Sequence, residues 1–306
     1  MKAEVPAEIK ATLPEGKWGK VLGMTPVVMT VVATLLAGLA SSEMTKAQYV
    51  RAHAAQLQSK AGDQWGFFQA KRLRGAIQSG ALDTAQLTVG DLEPDAAQLR
   101  AFAATLPNPA PVQAALETLL SGKLPTPALA PSASPAVSTL LTAAEQETEP
   151  AKFEALLRRD VARELESALQ AARAHARAFD ELLRPVIENG DRLGEAIDAT
   201  PETRRALGRD FAVLRLRYSS MRYDAEAKLN QSVARLLDLQ VRQANLTAER
   251  HQRRSARFFY GMLGAQAAVL VSTFAIAARR RSLLWALAAS AGLMAVSFAA
   301  YVYLFL

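Results

Sequence analysis

His53, His175 and His251 are the side chains whose ordinary pKa suits proton transfer near neutrality. They stand far apart, and none belongs to a His-x-x-x-His or His-x-x-Glu pattern that sets two ligands on one helix face. The chain has no cysteine, which excludes a disulfide framework, zinc finger, iron–sulfur cluster, c-type haem attachment or thiol nucleophile. There is no Gly-rich phosphate loop, G-x-S-x-G elbow or EF-hand loop. Glu164, Glu166, Asp180 and Glu181 stand beside arginines on helical stretches, where surface ion pairs explain them. No enzyme activity, cofactor or metal is expected.

Two groups of residues remain that can bind something. Trp65, Phe67 and Phe68 stand beside Lys71, Arg72 and Arg74. Such a set either packs where helices meet or recognises another protein. Arg253, Arg254 and Arg257, with Arg279, Arg280 and Arg281, flank apolar stretches and suit phospholipid headgroups, anionic ones above all. The chain carries 36 Lys+Arg against 29 Asp+Glu, a net +7. Residues 201–257 alone hold thirteen basic and six acidic residues. The acids are interleaved and no nucleic-acid-binding motif is present, so nucleic acid is not an expected partner.

The elements that position these residues begin with apolarity. Half of the 306 residues are hydrophobic, yet only 7% are aromatic. The apolar residues concentrate in three blocks, 21–40, 258–278 and 283–306, each free of Lys, Arg, Asp and Glu except at its flanks. About twenty such residues cross a hydrocarbon core as a helix. Trp18, Phe258, Phe259, Tyr260, Trp285, Tyr301 and Tyr303 mark headgroup levels. The short basic loop at 279–282 predicts a cytoplasmic turn, hence a cytoplasmic tail at 1–20 and a periplasmic 41–257. Arg250, Arg253, Arg254 and Arg257 argue for the opposite orientation, with 41–257 on the cytoplasmic side. Gly261, Gly264, Ala33, Ala37, Ala288 and Gly292 offer small faces for helix association.

Between the first two blocks, residues 41–80 read as a helical arm continuing from the first span, some 55 Å long at about 1.5 Å per residue. Residues 81–150 are rich in Pro and Ala. Short helices are predicted at 84–89, 95–105 and 111–121, an extended stretch at 123–138, and no core. Helix resumes at 151, with breaks at Pro185 and Asn189-Gly190. Thr200-Pro201-Glu202 starts the next helix.

From there to Arg257 the chain contains only Gly208 as a breaker. Leu207, Phe211, Leu214, Tyr218 and Met221 alternate four and three apart, a coiled-coil seam, and Leu229 and Leu236 continue it beyond a stutter. A single stripe needs a partner: the 151–199 helix, the arm, or copies of the same chain. Residues 151–257 are therefore predicted as coiled-coil helices. The fold class is all-α, an integral membrane protein with three transmembrane helices and a long helical coiled-coil projection.

The order of Asp63-Gln64-Trp65-Gly66-Phe67-Phe68-Gln69-Ala70-Lys71, Arg222-Tyr223-Asp224-Ala225-Glu226-Ala227, Arg279-Arg280-Arg281 and Trp285 resembles a bacterial family of three-span membrane proteins of unknown function. Members of that family carry an Asp-Gln-Trp-x-Tyr-Tyr-Gln-Ala-Lys-like stretch after the first span. Here Phe67 and Phe68 replace both tyrosines, and the 81–150 region is longer than the family pattern. The resemblance implies an architecture and no activity. The expected role is a non-enzymatic, homo-oligomeric scaffold or accessory subunit of a larger complex in the bacterial inner membrane. The alternative is a homo-oligomeric pore with a coiled-coil vestibule.

Overall fold

A computed structural model of the protein describes residues 17–89, 93–127, 133–146, 149–157, 161–200, 205–277, 290–297 and 300–301. The tail at 1–16, Pro201, Trp285 and the basic turn at Arg279, Arg280 and Arg281 lie outside the described residues. Among the described residues every regular element is an α-helix: α1 (Lys17–Val89), α2 (Ala96–Ala104), α3 (Pro109–Ser121), α4 (Pro135–Glu145), α5 (Pro150–Leu157), α6 (Ala162–Ala199) and α7 (Ala206–Ala277). Residues 290–297 are helical as well. The chain divides into two units, Met1–Ala54 with Ala244–Leu306, and Ala55–Gln243.

The first unit buries mostly alanines, with Met29, Leu36 and Phe258 among them, and turns many large apolar residues outward. Met29, Ala33, Ala265, Ala268 and Ala295 form one buried cluster, and Leu36, Ala40 and Phe258 another. Gly261 and Gly292 give the neighbouring helices room. A Cβ at Gly261 would stand 3.3 Å from Leu36 Cδ1, and one at Gly292 would stand 3.1 Å from Met29 Sδ. Of the expected association faces, Ala33, Gly261, Gly264 and Gly292 meet other helices of the same chain, and Ala288 lies outside the described residues. Outward stand Leu35, Leu270, Phe274 and Leu293, each more than 60% exposed. The α1 helix is long and apolar enough to cross a membrane, and only 22% of its most apolar stretch is buried. Pro26 sits inside it, and Thr30 and Thr34 donate their hydroxyls back to the carbonyls of Pro26 (2.8 Å) and Thr30 (2.9 Å).

The second unit has an ordinary apolar core. Leu99 of α2, Leu116 and Leu119 of α3, and Leu183, Leu193 and Ile197 of α6 are buried together with Leu207, Phe211, Leu214 and Tyr218 of α7. Met221 and Leu229 pack against this core, and Leu236 is buried further along. The stripe read on α7 therefore finds its partners in α2, α3 and α6.

Three local expectations are corrected. The 81–150 region contributes core residues, because its prolines segment helices and do not abolish them. Pro109 and Pro135 stand in first turns, where the missing N–H costs no hydrogen bond. Helix α4 lies over part of the stretch expected to be extended, with Ser134 Oγ accepting from the Val137 N–H. Pro185 and Asn189-Gly190 do not break α6. Asn189 donates to the Pro185 carbonyl at 2.8 Å, and burial of Leu183, Val186 and Leu193 on the same face holds the helix through the lost bond.

A seven-residue alanine repeat runs along α1. Ala33, Ala40, Ala47, Ala54 and Ala61 are all buried. On α7, Ala227, Ala234, Ala248 and Ser255 are buried at multiples of the same interval. A side chain as small as alanine at each heptad position lets two helix backbones approach closely.

Candidate functional site

The Trp65 stretch and the Arg222 stretch meet within the second unit. Trp65 Nε1 donates to Asp238 Oδ2 at 2.9 Å. Gln64 donates its amide to Asn230, which donates to the Glu226 carbonyl at 2.7 Å. Lys71 pairs with Glu226 Oε2. The Glu226 side chain is only 8% exposed, and a carboxylate that buried requires such a cation. Arg222 lies over the Tyr223 ring at 4.4 Å, and Lys71 Nζ stands 5.6 Å from the same ring. Gly75 closes this contact, since a Cβ there would touch Tyr223 Cβ at 3.5 Å.

The expected aromatic cluster is split. Trp65 and Phe68 meet edge to face at 5.4 Å, and Arg72 covers Phe68 at 5.9 Å. Phe67 is turned outward and is 58% exposed. Further along α1, Leu73, Ile77 and Leu87 are exposed too.

Charges around this site are tuned by burial and partners. On α6, lost hydration and the Glu226 carboxylate hold Asp180 above the ordinary aspartate range, against the pull of Lys71, Arg184 and Arg222. Burial raises the Tyr218 phenol, so it remains a neutral hydroxyl. Glu166 accepts from Gln170 (2.8 Å) and Gln240 (2.9 Å), and these bonds lower its carboxyl. Among the described residues no three His, Asp or Glu side chains converge as a metal-holding group.

The first unit holds a second polar set beside its apolar part. Glu43 Oε2 accepts from His251 Nδ1 at 2.7 Å, and Lys46 donates to Glu43 Oε1 at 2.8 Å. Burial pushes the Glu43 carboxyl up, but these bonds outweigh it and the pKa falls below its ordinary value. Arg51 donates to Gln252, and Ser255 Oγ donates to the Ala40 carbonyl at 2.7 Å. Arg254 Nε and Arg257 Nη1 are buried without a hydrogen-bond partner among the described residues. Arg257 also lies 5.6 Å from the Tyr301 ring. Arg253 is exposed and reaches Glu249 at 3.3 Å. Arg279, Arg280 and Arg281 fall outside the described residues.

The family described as Domain of unknown function (DUF4337) matches residues 18–181, more than half of the chain. The chain belongs to that family. The match takes in the Trp65 stretch and all of α1 beyond Lys17, and it leaves α7 outside. No curated protein and no solved structure matches the chain.

Sequence reasoning missed Asp238, Asn230 and Glu226 as partners of the Trp65 stretch, and Glu43 as the partner of His251. No local pattern points across intervals of 155 to 208 residues. The alanine repeat did carry a signal, its seven-residue period, which the abundance of alanine elsewhere conceals.

Proposed function

We propose that the protein is a non-enzymatic helical scaffold of the bacterial inner membrane, anchored by spans at 21–40, 258–278 and 283–306. Residues 41–257 form its coiled-coil projection on the periplasmic side. The observation that carries this reading is the inverted packing of the first unit. There Ala265, Ala268 and Ala295 are buried, while Leu35, Leu270, Phe274 and Leu293 are turned out. Large apolar side chains turned out together in this way mark a surface that meets lipid or another protein. The small interior supplies the close packing that holds helices together where no hydrophobic force acts.

Arg254 and Arg257, with hydrogen-bonding capacity left over at the edge of the apolar segment, suit phosphate oxygens of anionic lipid. The outward Leu73, Ile77 and Leu87, which fall on one side of α1, offer a face for a second copy or another membrane subunit. The pore alternative gains no support from the Thr30 and Thr34 face, since both hydroxyls donate to their own helix. Reconstitution into liposomes tests the choice. A scaffold gives no ion flux, whereas conductance that is lost when Thr30 and Thr34 become Leu favours the pore.

A further inference from the structure

The second unit contains a groove of about 580 Å³ between α1, α3, α6 and α7 that the scaffold role does not use. Its size falls in the range of small-molecule sites. Leu119, Val186, Ile187 and Phe211 make its apolar wall. Tyr218 and Arg222, one turn apart on α7, supply its polar end. The Tyr218 residue is 3% exposed, and its hydroxyl has no hydrogen-bond partner among the described residues. The same holds for Arg222 Nε, although its side chain is only 14% exposed. The nearest carboxylate oxygen, Glu226 Oε1, stands 3.5 Å from that nitrogen without hydrogen-bonding geometry, and Lys71 engages the other Glu226 oxygen.

Buried polar groups left unpaired are rare and costly, and two of them on residues that line one groove call for a shared acceptor. A phenol hydroxyl and a guanidinium N–H both donate. Together they match the two oxygens of a carboxylate. Glu226 and Asp180, both within the field of Arg222, limit the negative charge that a ligand here can carry. Arg215 is already paired with Asp191 at 2.7 Å, and Glu226 stands close by. A doubly charged phosphate monoester would meet both acids.

We infer that this groove binds a small carboxylate with a compact apolar body, its carboxylate held by Tyr218 and Arg222 and its body lying against Leu119, Val186 and Phe211. This site is independent of membrane anchoring.

The test is calorimetric titration of the full-length protein in nanodiscs with phenylacetate, phenylacetamide and phenyl phosphate. Phenylacetate is expected to bind saturably at one site per chain, phenylacetamide not at all, and phenyl phosphate more weakly. Y218F and R222Q should each weaken phenylacetate at least tenfold. Y218F, which removes an unpaired buried hydroxyl, should also leave the unliganded protein with an equal or higher Tm, showing that the loss is not unfolding. The inference is overturned if no saturable heat appears up to millimolar phenylacetate, or if phenylacetamide binds equally well. Unchanged affinity in Y218F, or tighter binding of phenyl phosphate, overturns it as well.

Discussion

Ser255 Oγ lies 2.7 Å from the main-chain carbonyl of Ala40, so a side chain of α7 reaches the backbone of α1 directly. Contact at that range requires small residues at the crossing, and Ala40, Ala47, Ala248 and Ser255 provide them. Enlarging one should force the helices apart. Ala47→Leu and Ala248→Leu are each expected to destabilise by about 1–3 kcal/mol. Chemical denaturation in nanodiscs measures this. Gly62→Ala and Gly66→Ala are the controls. A Cβ at either meets nothing within 4 Å, so each should stabilise by about 0.5–1 kcal/mol.

Trp65→Phe keeps the edge-to-face contact with Phe68 but removes the donor to Asp238. The expected loss is about 1–3 kcal/mol, the cost of leaving the partner unsatisfied. Leu73→Ser, at an outward position, should leave stability unchanged and lower the oligomeric mass seen by light scattering.

What was legible in the sequence, and what was not, follows from the range of each signal. The apolar segment at 21–40 is a local property, read from missing charge. The stripe from Leu207 to Leu236 is also local, and its residues are buried, or partly so at Met221 and Leu229. Its partner was not legible. Periodicity says which face is covered and nothing about which helix covers it, and from Leu207 to Leu229 α2, α3 and α6 do so. Pro185 misled for a related reason, since the burial of Leu183 and Leu193 that carries the helix past it is tertiary. The Trp65 stretch stood out by composition, but Asp238 is 173 residues away.

Lys71→Met should be the most damaging single change in the second unit, because it removes the close partner of a buried Glu226 carboxylate. A loss of about 3 kcal/mol is expected, at the low end for a broken buried pair because Lys71 keeps 30% exposure. The double variant Lys71→Met/Glu226→Gln should recover part of it. Thermal melts of the three proteins measure the coupling.

Glu43 makes stability depend on acid. Its native pKa lies below the ordinary glutamate value of 4.5. Its contribution is therefore fully present above 4.5 and is lost as pH falls through the lower native value. Unfolding followed between pH 6 and about pH 3 should show stability falling with acid. Glu43→Gln should flatten that part of the profile and lower stability at pH 6, with Glu166→Gln as an independent case of the same sign.

The most direct test of the membrane reading places single cysteines on the outward apolar set, which the cysteine-free chain permits without background. Leu35→Cys, Leu270→Cys and Leu293→Cys, labelled with a fluorophore in denaturant and reconstituted, are compared with Tyr49→Cys and Phe67→Cys. Lipid-borne quenchers are expected to extinguish the first three and leave the last two, while aqueous quenchers do the reverse. Quenching of positions 35, 270 and 293 by aqueous reagents would contradict it.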